Sequence, residues 1–468
     1  MSELPAVAAL LQHPLVERVR KLAAERSASV LLVGGAVRDA LLGRETRDFD
    51  FAVRGDAIAL GRWVANALDG DFYPLDARRG IARVILTQPA AKPITLDFAA
   101  CIGDDWASDQ RARDFTLNAI GIDLGTGELV DATGGLNDLR AGVLRATHTS
   151  AIVSDPVRAL RAVRLAHQLG LRIDPMTFGL LSAACGALHR VSAERLRDEL
   201  FEILALPRAA PAVTQLDELG LLATLIPEVE GMRGAAYASQ PFTVLQHTFY
   251  ALAALDEGSA ALTLLAPSME EYLADTLAEE RPVRSLVRFG ALLHDCAKPD
   301  ASSAEHAAKG AERAAARARA LRLSSDEVNW VRVFIALHSE PNRIAREGTV
   351  NDRALYRLLR QAREVAPALA LFAIADCWAK RSAEERASND CANSEAVARA
   401  IVDAYSDRWL PLQRAPALIS GDDLIQQGVS PSPRLGQILE AVREAQFLGE
   451  VRTREQALAL AQRLLREP

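Results

Sequence analysis

The chain has 468 residues, a formal net charge of −7 and a sequence pI of about 5.8. That length exceeds one ordinary core and calls for several domains; 50% hydrophobic and 25% charged residues are the balance of a soluble globular protein rather than a disordered or fibrous one. No uninterrupted apolar run reaches the ~18 residues of a membrane span, and the first residues lack the basic-then-apolar pattern of a secretory leader.

Residues 1–27 read as a helical leader. Residues 28–145 carry short β-like runs: Ser29–Val33, Asp50–Val53, Ile81–Leu86 and Ile94–Phe98, separated by turn signals such as Gly34-Gly35, Asp69-Gly70 and Gly134-Gly135. This block is a small α/β head with a mixed sheet. From 146 onward the period is helical, in blocks 146–235, 236–400 and 401–468, so the fold class is α+β with a mostly helical remainder. Asp155 to Leu169 is predicted as one helix with Asp155-Pro156 as cap and first turn, and Gly310 to Leu323 as an Ala/Arg helix. Two or three helices close the chain, around a turn at Gly428–Pro433. Cysteines 101, 185, 296, 377 and 391 form no CxxC pair, which argues against a zinc ribbon and suits a reducing cytoplasm.

Chemistry concentrates in three places. Gly34-Gly35 follows an apolar strand and opens a helix, leaving backbone N–H groups and a dipole for an anion, with Arg38 in reach of a phosphate. Asp48 and Asp50 stand two apart in the next strand, hence on one face. Paired carboxylates repel unless a cation lies between them, and Mg²⁺ favours one or two carboxylates plus substrate phosphates. Asp97, at another strand centre, is a candidate third ligand. Arg113, Asp114 and Asn118 mix a cation for a triphosphate with groups for a ribose or backbone contact. Asp155, Arg158, Arg161 and Arg164 recur every third residue as one ridge of the predicted helix, with surplus positive charge. The acidic net charge weighs less against a nucleic-acid partner than these local arginines weigh for one.

Gly34 to Asp39, Asp48-Phe-Asp50, Arg113 to Ala119 and Asp155 to Arg164 occur in the order and spacing of the bacterial (class II) tRNA nucleotidyltransferase and poly(A) polymerase family, and the chain resembles that family over nearly its whole length. Ser192 to Glu199 resembles its neck motif; Gly421 to Leu424 and Ile438 to Gly449 resemble its tail. The resemblance implies Mg²⁺ on Asp48 and Asp50, with Asp97 beside them. It implies an incoming nucleotide held by Gly34, Gly35, Arg38, Arg113, Asp114 and Asn118. Base edges would be read by Asp155 and Arg158, supported by Arg161 and Arg164. The reaction it implies is template-independent addition of C, C and A to the 3′ end of tRNA from CTP and ATP, with release of pyrophosphate. Addition of CC or A alone is the near alternative, and poly(A) synthesis a further one. There are two departures. Ala112 stands where the family usually has an arginine, and Ser154 where the base-reading motif usually has a glutamate, which leaves the choice of base open. No membrane and no obligate protein partner is implied, and the expected location is the cytoplasm.

The 236–400 block holds His247, His294-Asp295, His306, His338 and Asp376, residue types common around Ni, Mn, Fe or Zn. The order His247, His294-Asp295, Asp376, with Lys298 close behind, resembles the HD phosphohydrolase family. It implies a transition-metal site on those four residues and, as an alternative of another class, a phosphohydrolase of 2′,3′-cyclic phosphates or 2′-phosphates with an RNA-binding head.

Overall fold

Four of the five residues of β1 (Ser29–Val33) are buried, as a strand covered on both faces requires. It pairs antiparallel with β2 (Asp48–Arg54), and β2 runs parallel to β5 (Ala91–Ala100). Together with β3 (Asp71–Asp76), β4 (Ile81–Gln88), β6 (Gly121–Asp123) and β7 (Leu129–Val130) they form a seven-stranded mixed sheet in the order β3-β4-β5-β2-β1-β6-β7. This computed structural model describes residues 4–88, 91–238, 240–257, 265, 268–277, 281–302, 305–348, 350–381, 389–426 and 429–466; Gly428, in the turn expected before Pro433, lies outside them.

The pleat sorts the head. Phe49, Phe51 and Val53 of β2 and Leu96 and Phe98 of β5 join one core with Val30, Leu32 and the helices Pro14–Glu25 and Ala57–Leu68. Phe51 stacks on Phe98 with ring centroids 5.0 Å apart. Period two therefore turns Asp48, Asp50 and Asp97 to the opposite face. The sequence reading misses β3, β6 and β7. β3 carries Pro74, which is tolerated because the strand lies at the edge of the sheet, where a missing N–H costs no ladder bond; β6 and β7 are too short to show a period. The leader is helical as expected, over Leu4–Leu11 and Pro14–Glu25.

The expected helix from Asp155 starts late. Asp155 (φ −147°, ψ 88°) caps a short helix, Ala151–Ser154, and the long helix runs Arg158–Leu169, ending at left-handed Gly170 (φ 68°). Asp155 is thus not on the arginine ridge. The chain divides into two compact units, Met1–Val191 and Ser192–Pro468.

The second unit is helical. Every residue of the helix Ala366–Trp378 is buried. The predicted Ala/Arg helix forms as His306–Ala320 and buries Ala311, Ala314, Ala315 and Ala318. The tail helices Pro433–Phe447 and Arg454–Arg466 share a small core with Leu424. A buried carboxylate ties this unit locally: Glu327 closes a capping box with Ser324 and takes a bidentate bond from Arg281 at 2.6 and 2.9 Å. Burial would raise its pKa, but the guanidinium and the cap outweigh it and hold the carboxyl below its ordinary 4.5. A depressed carboxyl stabilises the fold above its unfolded pKa, and that contribution is lost as pH falls through the lower folded value. Glu327→Gln is therefore expected to lower thermal stability at pH 7, by about 2–3 kcal/mol for an unpaired buried partner. The gap should narrow as the pH falls below the carboxyl's ordinary value; melting curves at pH 7 and at successively lower pH check it, and a gap that never changes would exclude the ion pair as its source.

Candidate functional site

On the open face of the head, β2 and β5 set Asp50 directly beside Asp97, with Asp48 beside Thr95. Asp48 is exposed at the strand start and Asp50 is half-buried. Gly34 is left-handed (φ 86°), and a Cβ there would lie 2.5 Å from Asp50 Oδ2. The glycine is needed both for the turn and for this approach. Burial, then the charges of Asp97, Asp48 and Asp114, raise the Asp50 pKa to about 6 against the opposing pull of Arg113. A crowd of carboxyls on one face is a donor set suited to a hard divalent cation.

Asp97 is otherwise engaged. Arg83, its neighbour on β4, holds both its oxygens at 2.8 Å. Among the described residues, Asp48, Asp50 and Asp97 do not form a group with ligand atoms within 4.8 Å of one another. Arg83 was missed in the sequence; its only signal is a cation at the centre of the apolar run Ile81–Leu86.

The second motif is a relay of side chains. Arg38, 7% exposed, donates from Nη1 to Asn118 Oδ1 at 2.6 Å and from Nε to Asp39 at 2.8 Å. Asn118 Nδ2 donates to Asp114 Oδ1 at 3.1 Å, and Arg161 Nη1 donates to Asp114 Oδ2 at 3.2 Å. Burial alone would raise Asp114, but Arg161, Asn118 and Arg158 hold its carboxyl below the ordinary range. Asp114, Asn118 and Arg161 thus connect the helix Gly35–Leu41 to the helix Arg158–Leu169. Arg113 is held by Asp109 at 3.0 Å and Arg164 donates to Gln168 at 3.1 Å. Arg158 donates to the Ala151 carbonyl at 2.9 Å, which also accepts from Ser154 Oγ at 3.0 Å. Its Nε stands 3.8 Å from Asp155 Oδ2, an ion pair between the two residues expected to read the base.

The second unit assembles the histidines. His247 Nε2 lies 3.0 Å from Asp376 Oδ1, and His294 Nε2 lies 3.0 Å from Asp295 Oδ2. His294 Nδ1 and His338 Nδ1 each stand 2.7 Å from a backbone carbonyl, of Ala291 and Ile335. That contact fixes the proton on Nδ1 and leaves the Nε2 lone pair facing inward. Burial pushes His247 and His338 down to about 4, so both are neutral at pH 7. Nε2 of His294, Nδ1 of His247 and Oδ1 of Asp295 are buried without a hydrogen-bond partner, while Oδ2 faces Lys298 Nζ at 2.7 Å. Such a set fits a transition metal. The sequence reading missed Lys380 (Nζ 2.5 Å from Asp376 Oδ2), Asn342 (3.0 Å from the same oxygen) and Tyr237, stacked on His247 at 4.1 Å. Lys380 has a signal, its place four residues after Asp376 on a helix; the other two have none.

No helix among the described residues is long and apolar enough to cross a membrane. Residues 30–145 match the family described as the Poly A polymerase head domain, and residues 170–232 the one described as a probable RNA and SrmB-binding site of polymerase A. The CC-adding tRNA nucleotidyltransferase of Geobacter sulfurreducens is 30% identical, over 96% of this chain and 94% of that protein. The A-adding tRNA nucleotidyltransferase of Deinococcus radiodurans is 31% identical, over 93% and 95%. The structure of the Thermotoga maritima CCA-adding enzyme complexed with tRNA shares the fold at a TM-score of 0.67 and 22% identity, covering 99% of each chain. A nucleotidyltransferase head with paired carboxylates and likeness over the full length of such relatives together make this chain a member of the tRNA nucleotidyltransferase family.

Proposed function

We propose that this chain adds C, C and A in turn to the 3′ end of tRNA, using CTP, ATP and Mg²⁺ in a reducing cytoplasm. The observation that carries the reading is the pair Asp48 and Asp50 on the open face of β2, with Gly34 giving up its side chain to let Asp50 approach. Asp48 and Asp50 would hold Mg²⁺, with Asp97 joining once Arg83 turns to the anionic substrate. The ion supplies activation of the 3′-hydroxyl and neutralisation of the charge that develops on the α-phosphate. Around it the chain's own groups position the reactants. Gly34 and Gly35 leave room for the triphosphate, and Arg38 and Arg113 supply cations toward it. Asp114 and Asn118 lock Arg38 against Arg161, so they are positioning residues. Asp155 and Arg158, backed by Arg164, are the groups offered to the edge of the incoming base.

Primer extension tests this. Protein with Mg²⁺ is given tRNA lacking CCA, tRNA ending in CC and an unstructured oligomer, each with CTP, ATP or both. CCA on the first substrate supports the reading, and no addition to any of them ends it. A second reading, CC or A alone, is favoured by Ser154 in place of a glutamate; it expects the reaction to stop after CC, or to begin only from CC. Gly34→Ala should cut the rate about 100-fold, the effect of displacing a reacting group by ~1 Å, with little change in the KM for tRNA; single-turnover rates read it, and a rate within threefold of the parent would show that the approach to Asp50 is not needed.

A further inference from the structure

Two thiols outside the histidine cluster stand closer together than their burial requires. Cys377 lies in the last turn of the helix Ala366–Trp378, and Cys391 in the first turn of the helix Asn389–Ala404. Both are free thiols and both are buried. Their sulfurs are 2.6 Å apart. That is inside the van der Waals contact of two sulfurs and about 0.5 Å longer than a disulfide bond. Neighbouring side chains hold the place. Trp378 Nε1 donates to Glu395 Oε1 at 3.3 Å, which ties the two helices together. Arg381 Nη1 donates to Cys377 Sγ at 3.1 Å and to the Cys377 carbonyl at 3.2 Å.

A simpler reading is that two small apolar side chains fill a helix interface and share a weak S–H···S bond. It accounts for the burial. It does not account for the opening beside one of them. Cys377 lines a cavity of about 420 Å³ together with Arg346, Lys380 and Arg381, and Cys391 does not line it. Among the described residues that line this cavity there is no acid. Lys380 is matched from behind by Asp376 at 2.5 Å. Arg346 is exposed and donates from Nε to the Asn342 carbonyl at 3.1 Å. The cavity thus draws an anion along a cationic lining that ends on a sulfur.

We propose that Cys377 and Cys391 form a thiol–disulfide exchange site for an anionic low-molecular-weight disulfide, which enters by the cationic cavity, reacts first at Cys377 and leaves the two cysteines joined. In the first step the Cys377 sulfur attacks one sulfur of the reagent. A Cys377–reagent S–S bond forms, the reagent's own S–S bond breaks, and its other half leaves as a thiol with the proton that Cys377 gave up. In the second step the Cys391 sulfur attacks Cys377 Sγ, and the second half leaves as a thiol with the Cys391 proton. Two protein thiols are oxidised and one small disulfide is reduced to two thiols, with no other reactant. In a reducing cytoplasm the pair rests as the dithiol, and the bond closes when the small-molecule thiol pool is oxidised. The thiols sit at the ends of their helices, 14 residues apart, so closing the last fraction of an ångström does not disturb a helix centre.

The test uses the full chain, fully reduced, with oxidised glutathione as the anionic probe and cystamine as a cationic one. After the remaining thiols are capped, peptide mapping by mass follows Cys377 and Cys391 separately from Cys101, Cys185 and Cys296. Each rate is taken relative to that of the urea-unfolded chain, which removes the reagents' own reactivity. The peptides holding Cys377 and Cys391 should appear linked, and relative to the unfolded chain the link should form about tenfold faster with oxidised glutathione than with cystamine. High salt should shrink that ratio. Cys391→Ser should accumulate the glutathione mixed disulfide on Cys377, and Cys377→Ser should leave Cys391 unmodified. Recovery of both cysteines of the parent chain as free thiols would overturn the site, without recourse to a variant. A mixed disulfide that persists on Cys377 in the parent would overturn the pairing, and equal relative rates with the two reagents would overturn the anionic substrate.

Discussion

Asp50→Asn is expected to abolish nucleotide addition and, in the same molecule, to stabilise the metal-free fold. The Asp50 carboxyl titrates near 6 in the folded protein against 3.8 ordinarily, because burial and the neighbouring acids disfavour its charge. A raised carboxyl pKa means that the folded state holds its proton more tightly than the unfolded chain does. Its favourable contribution is then complete below pH ~4 and is lost as pH rises through about 6. At pH 7.5 the bare carboxylate costs about 3 kcal/mol, at 1.36 kcal/mol per pKa unit. Asparagine keeps the shape and removes the charge. Melting with a chelator present should therefore show the variant above the parent at pH 7.5 and level with it near pH 3.5. Added Mg²⁺ should raise the parent's Tm and leave the variant's unchanged. Catalysis should fall about 1000-fold or more, the loss of several kcal/mol of charge stabilisation. Asp48→Asn, at the exposed start of β2, should lose activity without the gain in stability. A parent that is as stable as Asp50→Asn at pH 7.5, or an Mg²⁺ shift retained in the variant, would remove the carboxylate pair from the metal site.

The reason Asp48 and Asp50 could be found in the sequence is that a strand enforces the geometry by period alone: two residues apart is one face, whatever the fold does elsewhere. The same holds for the end of the helix Arg158–Leu169, where Gly170 takes the left-handed conformation. Spacing fails where the backbone leaves the period. Asp155 is three residues before Arg158, yet it precedes the helix, so the inferred ridge loses its first member. Arg161, read as surplus positive charge, is partnered by an acid 47 residues away. Arg83 and Asp97 meet through strand register, which depends on the hairpin between β4 and β5 and not on either residue's neighbours. The histidines were legible as a set because six metal-binding side chains in one helical block are uncommon. Their division into two triads that share Asp295, one with His247 and His294 and one with His306 and His338, was not, since it depends on which carboxylate oxygen each imidazole faces.

Arg288→Met is expected to be the most destabilising single change in the helical unit, about 3–5 kcal/mol, the loss typical of breaking a buried ion pair. The guanidinium is 4% exposed and donates to the carbonyls of Leu204, Leu206 and Pro207 at 2.7, 2.5 and 3.1 Å and to Asp256 at 2.7 Å. Those carbonyls end the helix Ala193–Ala205, whose last turn has no intrahelical donors and is followed by a proline with none to offer. Arg288 thus serves as a C-terminal cap supplied by a different helix, and Asp256, which also accepts the Ala210 N–H at 2.7 Å, holds it in place. Burial raises the Asp256 pKa and lowers that of Arg288, so for both partners desolvation outweighs attraction. The pair is costly to build and more costly to halve. Chemical denaturation of the full chain should show the loss, and Asp256→Asn added to Arg288→Met should recover part of it by removing the stranded charge. A loss below about 1 kcal/mol would mean that the carbonyls find other donors. Arg284 provides the contrast. It lies one turn earlier on the same helix and bonds Glu270, an acid 60% exposed, at 2.5 Å. Its removal should cost less than about 1 kcal/mol, because an exposed pair exchanges one set of hydrated charges for another. Two arginines four apart look alike in the sequence, and what separates them is which one reaches a buried helix end.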